Sequence, residues 1–135
     1  MLIKLLTSKI QLPFFSSKVA AGFPSPADDY VQNGLSLDEL LIQRPSSTYL
    51  ATANGDSMTG CGIFNDDILI IDRSVNPVHG DIVIAAIDGE LTCKFLNLRL
   101  KQLLSANPRF PPISINSEVD LIIEGVVISS IRRHK

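Results

Sequence analysis

The sequence predicts a mainly β protein preceded by a short, extended N-terminal arm. Three observations carry this reading. From Thr48 onward, apolar runs at 48–53, 68–72, 81–87, 90–96, 112–116 and 121–131 are short and bounded by Gly, Pro, Asn and Asp, as strands are. Between two of them stands Asp88-Gly89, a two-residue hairpin turn. Ahead of them, Pro13, Pro24 and Pro26 resist helix formation and keep their neighbours extended. With 135 residues, 45% of them apolar, the chain can bury an independent core.

Taken in order, Met1 to Ala21 is mixed. Leu2, Ile3, Leu5 and Leu6 are apolar, but Lys4, Thr7, Ser8 and Lys9 interrupt them. No run approaches the roughly 18 apolar residues of a membrane span. Val19-Ala20-Ala21 resembles the end of a signal peptide, yet Lys9, Gln11 and Pro13 lie where its apolar stretch belongs, so secretion is not expected. Ala20-Ala21-Gly22-Phe23 is unhindered and extended. It can serve as a flexible linker or enter a protease cleft.

Ser36-Leu37-Asp38-Glu39 has the pattern of a capping box, predicting a short helix through Ile42 that Pro45 ends. Tyr49-Leu50-Ala51-Thr52-Ala53 then leads as a strand into the turn Asn54-Gly55-Asp56, and Ser57 follows at once. Gly80 to Ile87 and Glu90 to Leu96 are the two strands joined by Asp88-Gly89. Pro108, Pro111 and Pro112 mark a loop before the final strand. Arg132-Arg133-His134-Lys135 reads as a basic, solvated terminus.

Composition excludes several classes. A net charge of −2 and a pI near 5.6 argue against a general nucleic-acid binder. Cys61 and Cys93 are too few for a disulfide framework and read as free thiols of a reducing cytosol. No neighbour in sequence activates Cys61. His79 and His134 stand alone without the paired spacing of a zinc site, so neither metal nor cofactor is expected.

Two residues carry candidate chemistry. Ser57 stands where a strand ends and the backbone bends. That is a polar turn, or an exposed nucleophile with the main-chain N–H groups of Asp56 and Ser57 free to bind an oxyanion. Lys94 is mid-strand, with Cys93, Phe95 and Leu96 around it. Alternation puts Thr92, Lys94 and Leu96 on one face and Leu91, Cys93 and Phe95 on the other. Lys94 is therefore an exposed strand residue or a desolvated amine. Desolvation lowers a lysine pKa, and a neutral amine can act as general base to a serine.

Together these stretches resemble the self-cleaving core of the LexA/UmuD family of serine peptidases. The resemblance rests on Gly55-Asp56-Ser57-Met58, on Asp67-Ile68-Leu69-Ile70-Ile71-Asp72, on Gly80-Asp81-Ile82-Val83-Ile84-Ala85 and on Lys94. The Ser57 to Lys94 interval, 94 − 57 = 37 residues, fits as well. Gly22-Phe23-Pro24-Ser25-Pro26-Ala27 and Asp29-Tyr30-Val31 point to the UmuD branch, with its MucA-, RumA- and ImpA-type relatives. The likeness runs from about Ala21 to Ile131.

This resemblance implies a LexA-like C-terminal peptidase fold, a compact curved β structure. It implies an arm, residues 1–21, removed by self-cleavage at Ala21-Gly22, and a peptidase and dimerisation core, residues 22–135. Ser57 would be the nucleophile and Lys94 the general base. UmuD members usually carry Cys before the scissile glycine, and Ala is common in the wider family. Cys61 and Asp66 stand where glycine is common among relatives; Asp tolerates the left-handed turn such a glycine adopts. The implied trigger is a RecA filament on single-stranded DNA. The implied partners are a second copy and a UmuC-type Y-family polymerase in translesion synthesis during the SOS response. A bacterial cytoplasmic protein without sequence-specific DNA binding or membrane attachment is expected. The 21 residues ahead of the cut are expected to be too few for a repressor's DNA-binding domain, and no anchor of the signal-peptidase kind is expected. The alternative is a non-enzymatic dimeric module of the same fold that binds polymerase or RecA without cleavage.

Overall fold

The turn-bounded apolar runs build one antiparallel sheet. A computed structural model of the protein describes residues 10–15, 18–21 and 31–135, which fall into two compact units dividing between Gln43 and Arg44. In the first unit, β1 (Leu12–Phe15) pairs antiparallel with β2 (Val31–Leu35), Leu12 opposite Leu35 and Phe15 opposite Val31. The extended arm is thus a paired strand, which its sequence, interrupted by Pro13, did not lead us to expect. Helix α1 (Leu37–Leu41) follows Ser36, whose extended backbone (φ −94°, ψ 124°) is that of an N-cap. Its carbonyl accepts the Leu40 N–H at 3.0 Å, but its side chain makes no capping hydrogen bond, so the serine half of the expected capping box is absent. The helix stops at Leu41, and Pro45 opens a 3-10 turn, Pro45–Ser47.

The second unit is a seven-stranded sheet. Its strands are β3 (Thr48–Thr52), β4 (Ile68–Asp72), β5 (Ile82–Ile87), β6 (Glu90–Asn97), β7 (Gln102–Leu104), β8 (Ile113–Ser114) and β9 (Leu121–Ile131). Their order across the sheet is β3-β4-β9-β5-β6-β7-β8. β9 spans 11 residues and serves both β4 and β5: Ile68 pairs with Ile131 at one end, and Ile87 with Leu121 at the other. Register shifts interrupt both ladders: β4 skips Ile128 between Ile70 and Ile71, and β5 skips Glu124, next to Gly125, between Ile84 and Ala85. Such bulges bend the strand that carries them and increase its local twist. A Cβ at Gly125 would stand 2.6 Å from Ile71 Cγ2, so the strands approach there as closely as glycine permits.

Two clusters form the core. Met58, Ile63, Leu69, Ile71 and Ile84 make one, with Cys93 and Phe95 packed on it. Val83, Ala85, Leu96, Leu103 and Val126 make the other. The split follows strand alternation: Val83 and Ala85 face one way, Ile84 the other. Each fully buried Leu, Ile or Val contributes about 1.5–3 kcal/mol relative to exposure. Asp72 is fully buried at the end of β4, where it accepts hydrogen bonds from Arg44 Nη1 (3.0 Å), Ser47 Oγ (2.8 Å) and Ser74 Oγ (2.7 Å). These partners, Ser74 first, hold its carboxyl well below the usual carboxylate range.

Of the expected strands, 112–116 contracts to Ile113–Ser114. β7, which sequence reading missed, lies outside every expected run; its three residues are too short to show a period. Asp88 (φ 49°) and Gly89 (φ 85°) form the expected tight turn between β5 and β6. Among the described residues no helix is long and apolar enough to cross a membrane.

Candidate active site

The segment that carries Ser57 is a loop pinched shut at its base. Ala53 N–H donates to the Asp67 carbonyl, and Asp66 N–H to the Ala53 carbonyl, each at 2.8 Å. Within it, Gly55 takes φ 92°, a conformation that glycine adopts without penalty, and donates to Asn65 Oδ1 at 2.8 Å. Asp66, at φ 72°, takes the left-handed conformation expected of it. After Ser57 the chain buries Met58 (3% exposed) in the first core cluster and tightens into a 3-10 turn, Thr59–Cys61. Ser57 is thereby anchored on its C-terminal side by a core residue.

The loop after β7 braces the other flank. Ala106 N–H donates to the Ser57 carbonyl (2.8 Å), and the Ala106 carbonyl accepts Gly60 N–H (2.7 Å). Asn107 Nδ2 donates to the Asp56 carbonyl (2.9 Å). Gly60 is required here, because an added Cβ would collide with the Ala106 carbonyl oxygen. No spacing rule pointed to Ala106 or Asn107; an Asn in a proline-rich loop carries no signal of what it will meet in space.

Lys94 extends from β6 and is 7% exposed. Its Nζ donates to Ser57 Oγ at 2.8 Å and to the Cys93 carbonyl at 3.2 Å. Of the two readings of Lys94, the structure shows the desolvated amine. Burial lowers its pKa, only partly opposed by Cys93. Ser57 also lines a cleft of about 240 Å³, with Ala51, Ala53, Ile84, Leu91 and Cys93 on its walls. Among the described residues, the N–H groups of Asp56, Ser57 and Met58 meet no acceptor. The arrangement can move a proton between a hydroxyl and an amine beside a cleft that Ser57 itself lines.

Both thiols are free. Cys61 Sγ donates to the Met58 carbonyl at 3.1 Å, and burial raises its pKa. Burial likewise pushes Cys93 up to about 11. Neither is an activated thiolate. Arg132 departs from the solvated tail expected of residues 132–135. Its Nε and Nη2 grip both oxygens of Asp67 (2.9 and 2.8 Å), Nη2 also donates to the Gly62 carbonyl (2.7 Å), and the guanidinium lies 4.1 Å from the centre of the Phe64 ring. This fork holds Asp67 down to about 2 and closes the base of the Ser57 loop. Ala21 lies at a bend in the first unit, whereas Gly22 and the stretch through Tyr30 lie outside the described residues.

The Peptidase S24-like family profile matches residues 13–128. Protein ImpA of Salmonella typhimurium is 43% identical over 121 residues, covering 90% of this chain and 83% of that protein. Protein MucA of Escherichia coli is 39% identical over 125 residues, covering 91% and 86%. The LexA repressor of Alcanivorax borkumensis is 41% identical over 118 residues, covering 85% of this chain and 56% of the repressor.

Proposed function

The chain belongs to the Peptidase S24-like family, and from that premise we propose that it is a serine endopeptidase that cuts itself between Ala21 and Gly22. The observation that carries this reading is the 2.8 Å contact between Ser57 Oγ and Lys94 Nζ, with the lysine 7% exposed. A neutral Lys94 reverses that hydrogen bond: the Ser57 hydroxyl donates and the amine lone pair accepts. Ser57 Oγ attacks the Ala21 carbonyl carbon while Nζ takes the hydroxyl proton. The N–H groups of Asp56 and Ser57 hold the negative oxygen that forms. As the tetrahedral intermediate collapses, the Ala21–Gly22 bond breaks and Lys94 returns the proton to the Gly22 amine. A water molecule, deprotonated in turn by Lys94, releases Ala21 as a carboxylate and restores Ser57.

The substrate is part of the same chain, so its effective concentration is high and a slow single turnover suffices. Docking of the cleavage segment over Lys94 completes its desolvation, which makes activity conditional. Kinship with ImpA and MucA supports a role in SOS mutagenesis. In this reading a RecA filament on single-stranded DNA stabilises the docked state. The trimmed form, residues 22–135, then works as a homodimer and accessory subunit of a UmuC-type translesion polymerase in the bacterial cytoplasm.

The test is self-cleavage of purified full-length protein, followed by intact mass as pH is raised. A fragment beginning at Gly22 is expected, with a rate that climbs as Lys94 loses its proton, below the ordinary lysine value of 10.5. Ser57→Ala and Lys94→Ala should each slow cleavage by about 100-fold or more. A wild type that stays intact at high pH and with an active RecA filament would sink the peptidase reading and favour the non-enzymatic module.

A further inference from the structure

Ser105 stands one residue beyond β7 and immediately before Ala106, whose main chain braces Ser57 and Gly60. Its Oγ is shielded from solvent and meets no hydrogen-bond partner among the described residues. A buried hydroxyl left unpaired is unfavourable, so its presence calls for a reason. The register between β6 and β7 supplies one. Asn97 pairs with Gln102, Leu96 with Leu103 and Phe95 with Leu104. One further step sets Ser105 opposite Lys94, and directly opposed residues of an antiparallel pair project to the same face.

Lys94 has a complementary deficit. A lysine ammonium carries three N–H donors. Two find Ser57 Oγ and the Cys93 carbonyl, and the third has no acceptor among the described residues. In the neutral amine the lone pair takes the Ser57 hydroxyl proton and one N–H keeps the Cys93 carbonyl, again leaving one N–H over. A spare donor and a spare acceptor thus lie on one face of adjoining strands.

We propose that Ser105 is a positioning residue for Lys94: its hydroxyl accepts the remaining N–H and turns the amine lone pair onto Ser57 Oγ. The inference rests on the peptidase reading above and deepens it. With two N–H groups held, by Cys93 from its own strand and Ser105 from the next, the lone pair keeps a single direction. Without Ser105 the amine turns about its last bond and spends less time aimed at the nucleophile.

The experiment compares self-cleavage of full-length wild type, Ser105→Ala and Ser105→Thr from about pH 7 to about pH 10, a range that brings the lysine toward deprotonation. Thermal midpoints are measured alongside. Ser105→Ala is expected to slow cleavage by about 3- to 10-fold at every pH, the worth of one hydrogen bond, while its midpoint stays equal or rises because an unpaired buried hydroxyl is gone. Ser105→Thr keeps the hydroxyl and should restore the rate. Cys93, the titratable side chain that acts on Lys94, is the same in all three proteins. A Ser105→Ala rate curve that coincides with wild type, or is only displaced along the pH axis, overturns the inference. So does a rate loss matched by a fall in the thermal midpoint that Ser105→Thr does not repair. If wild type itself fails to cleave, the peptidase reading falls instead, so the two failures are distinguishable.

Discussion

Lys94 and Asp67 show what burial does to a charge with and without a partner. Asp67 is 2% exposed and remains a carboxylate because the Arg132 fork and the Phe64 N–H satisfy it. Lys94 has a hydroxyl and a carbonyl but no carboxylate beside it, so burial wins and its pKa falls. The sign of the stability effect follows. Below its folded pKa, Lys94 is charged in both states and its desolvation costs stability. Between that value and 10.5 the unfolded chain binds more protons, so stability rises with pH. Replacing Lys94 by Met, of similar length and uncharged, should therefore raise the thermal midpoint at pH 7, with the gain shrinking as pH approaches 10.5. Midpoints of both proteins across that range check it, and a gain that does not change with pH would show that Lys94 is not the desolvated group. A site so placed gives up stability for reactivity, as functional groups often do. The types and spacing of Ser57 and Lys94 were legible in the sequence. Arg132 was not, because four basic residues at a chain end look alike until one of them meets a buried carboxylate.

At the scale of elements, β9 and the loop after β7 decide the geometry. β9 reads as one long strand, and only its two partners reveal that the β4 ladder slips at Ile128 and the β5 ladder at Glu124, on either side of Gly125. The glycine is needed for closeness there, since its added Cβ would lie 2.6 Å from Ile71 Cγ2 and 3.2 Å from the Asp72 carbonyl oxygen. Gly125→Ala should cost about 1–3 kcal/mol through overpacking, read as a lowered thermal midpoint or denaturant midpoint. An unchanged midpoint would mean that Ile71 relocates freely and the close approach is incidental. The Asp88-Gly89 hairpin was legible because its chemistry is local: both residues must take positive φ. β7 was not, because three residues cannot display an alternation. Their strand state comes from pairing with Phe95 to Asn97 on one side and with Ile113 and Ser114 on the other.

Over the whole molecule, the two units respond differently to the proposed cut. The bond lies between β1 and β2, which pair with each other within the first unit. Cleavage at Ala21–Gly22 therefore severs the covalent link between those strands and lets the fragment with Leu12–Phe15 depart. Amide hydrogen exchange at 31–35 should accelerate after cleavage, while β4 and β9 in the second unit keep their protection. Exchange measured on the Ser57→Ala protein and on the trimmed protein tests this. Equal protection at 31–35 in both would show that β1 stays bound or that β2 does not depend on it. By itself, the sequence determined the β class, most strand positions, the hairpin turn and the two residues of the candidate dyad, because strand period, turn chemistry and residue type are written locally. The tertiary structure alone decided that Lys94 is buried and 2.8 Å from Ser57. It alone brought Ala106 and Asn107 to the Ser57 loop and Arg132 to its base. Those contacts join residues up to 70 positions apart, and burial depends on which strands become neighbours, which no local pattern specifies.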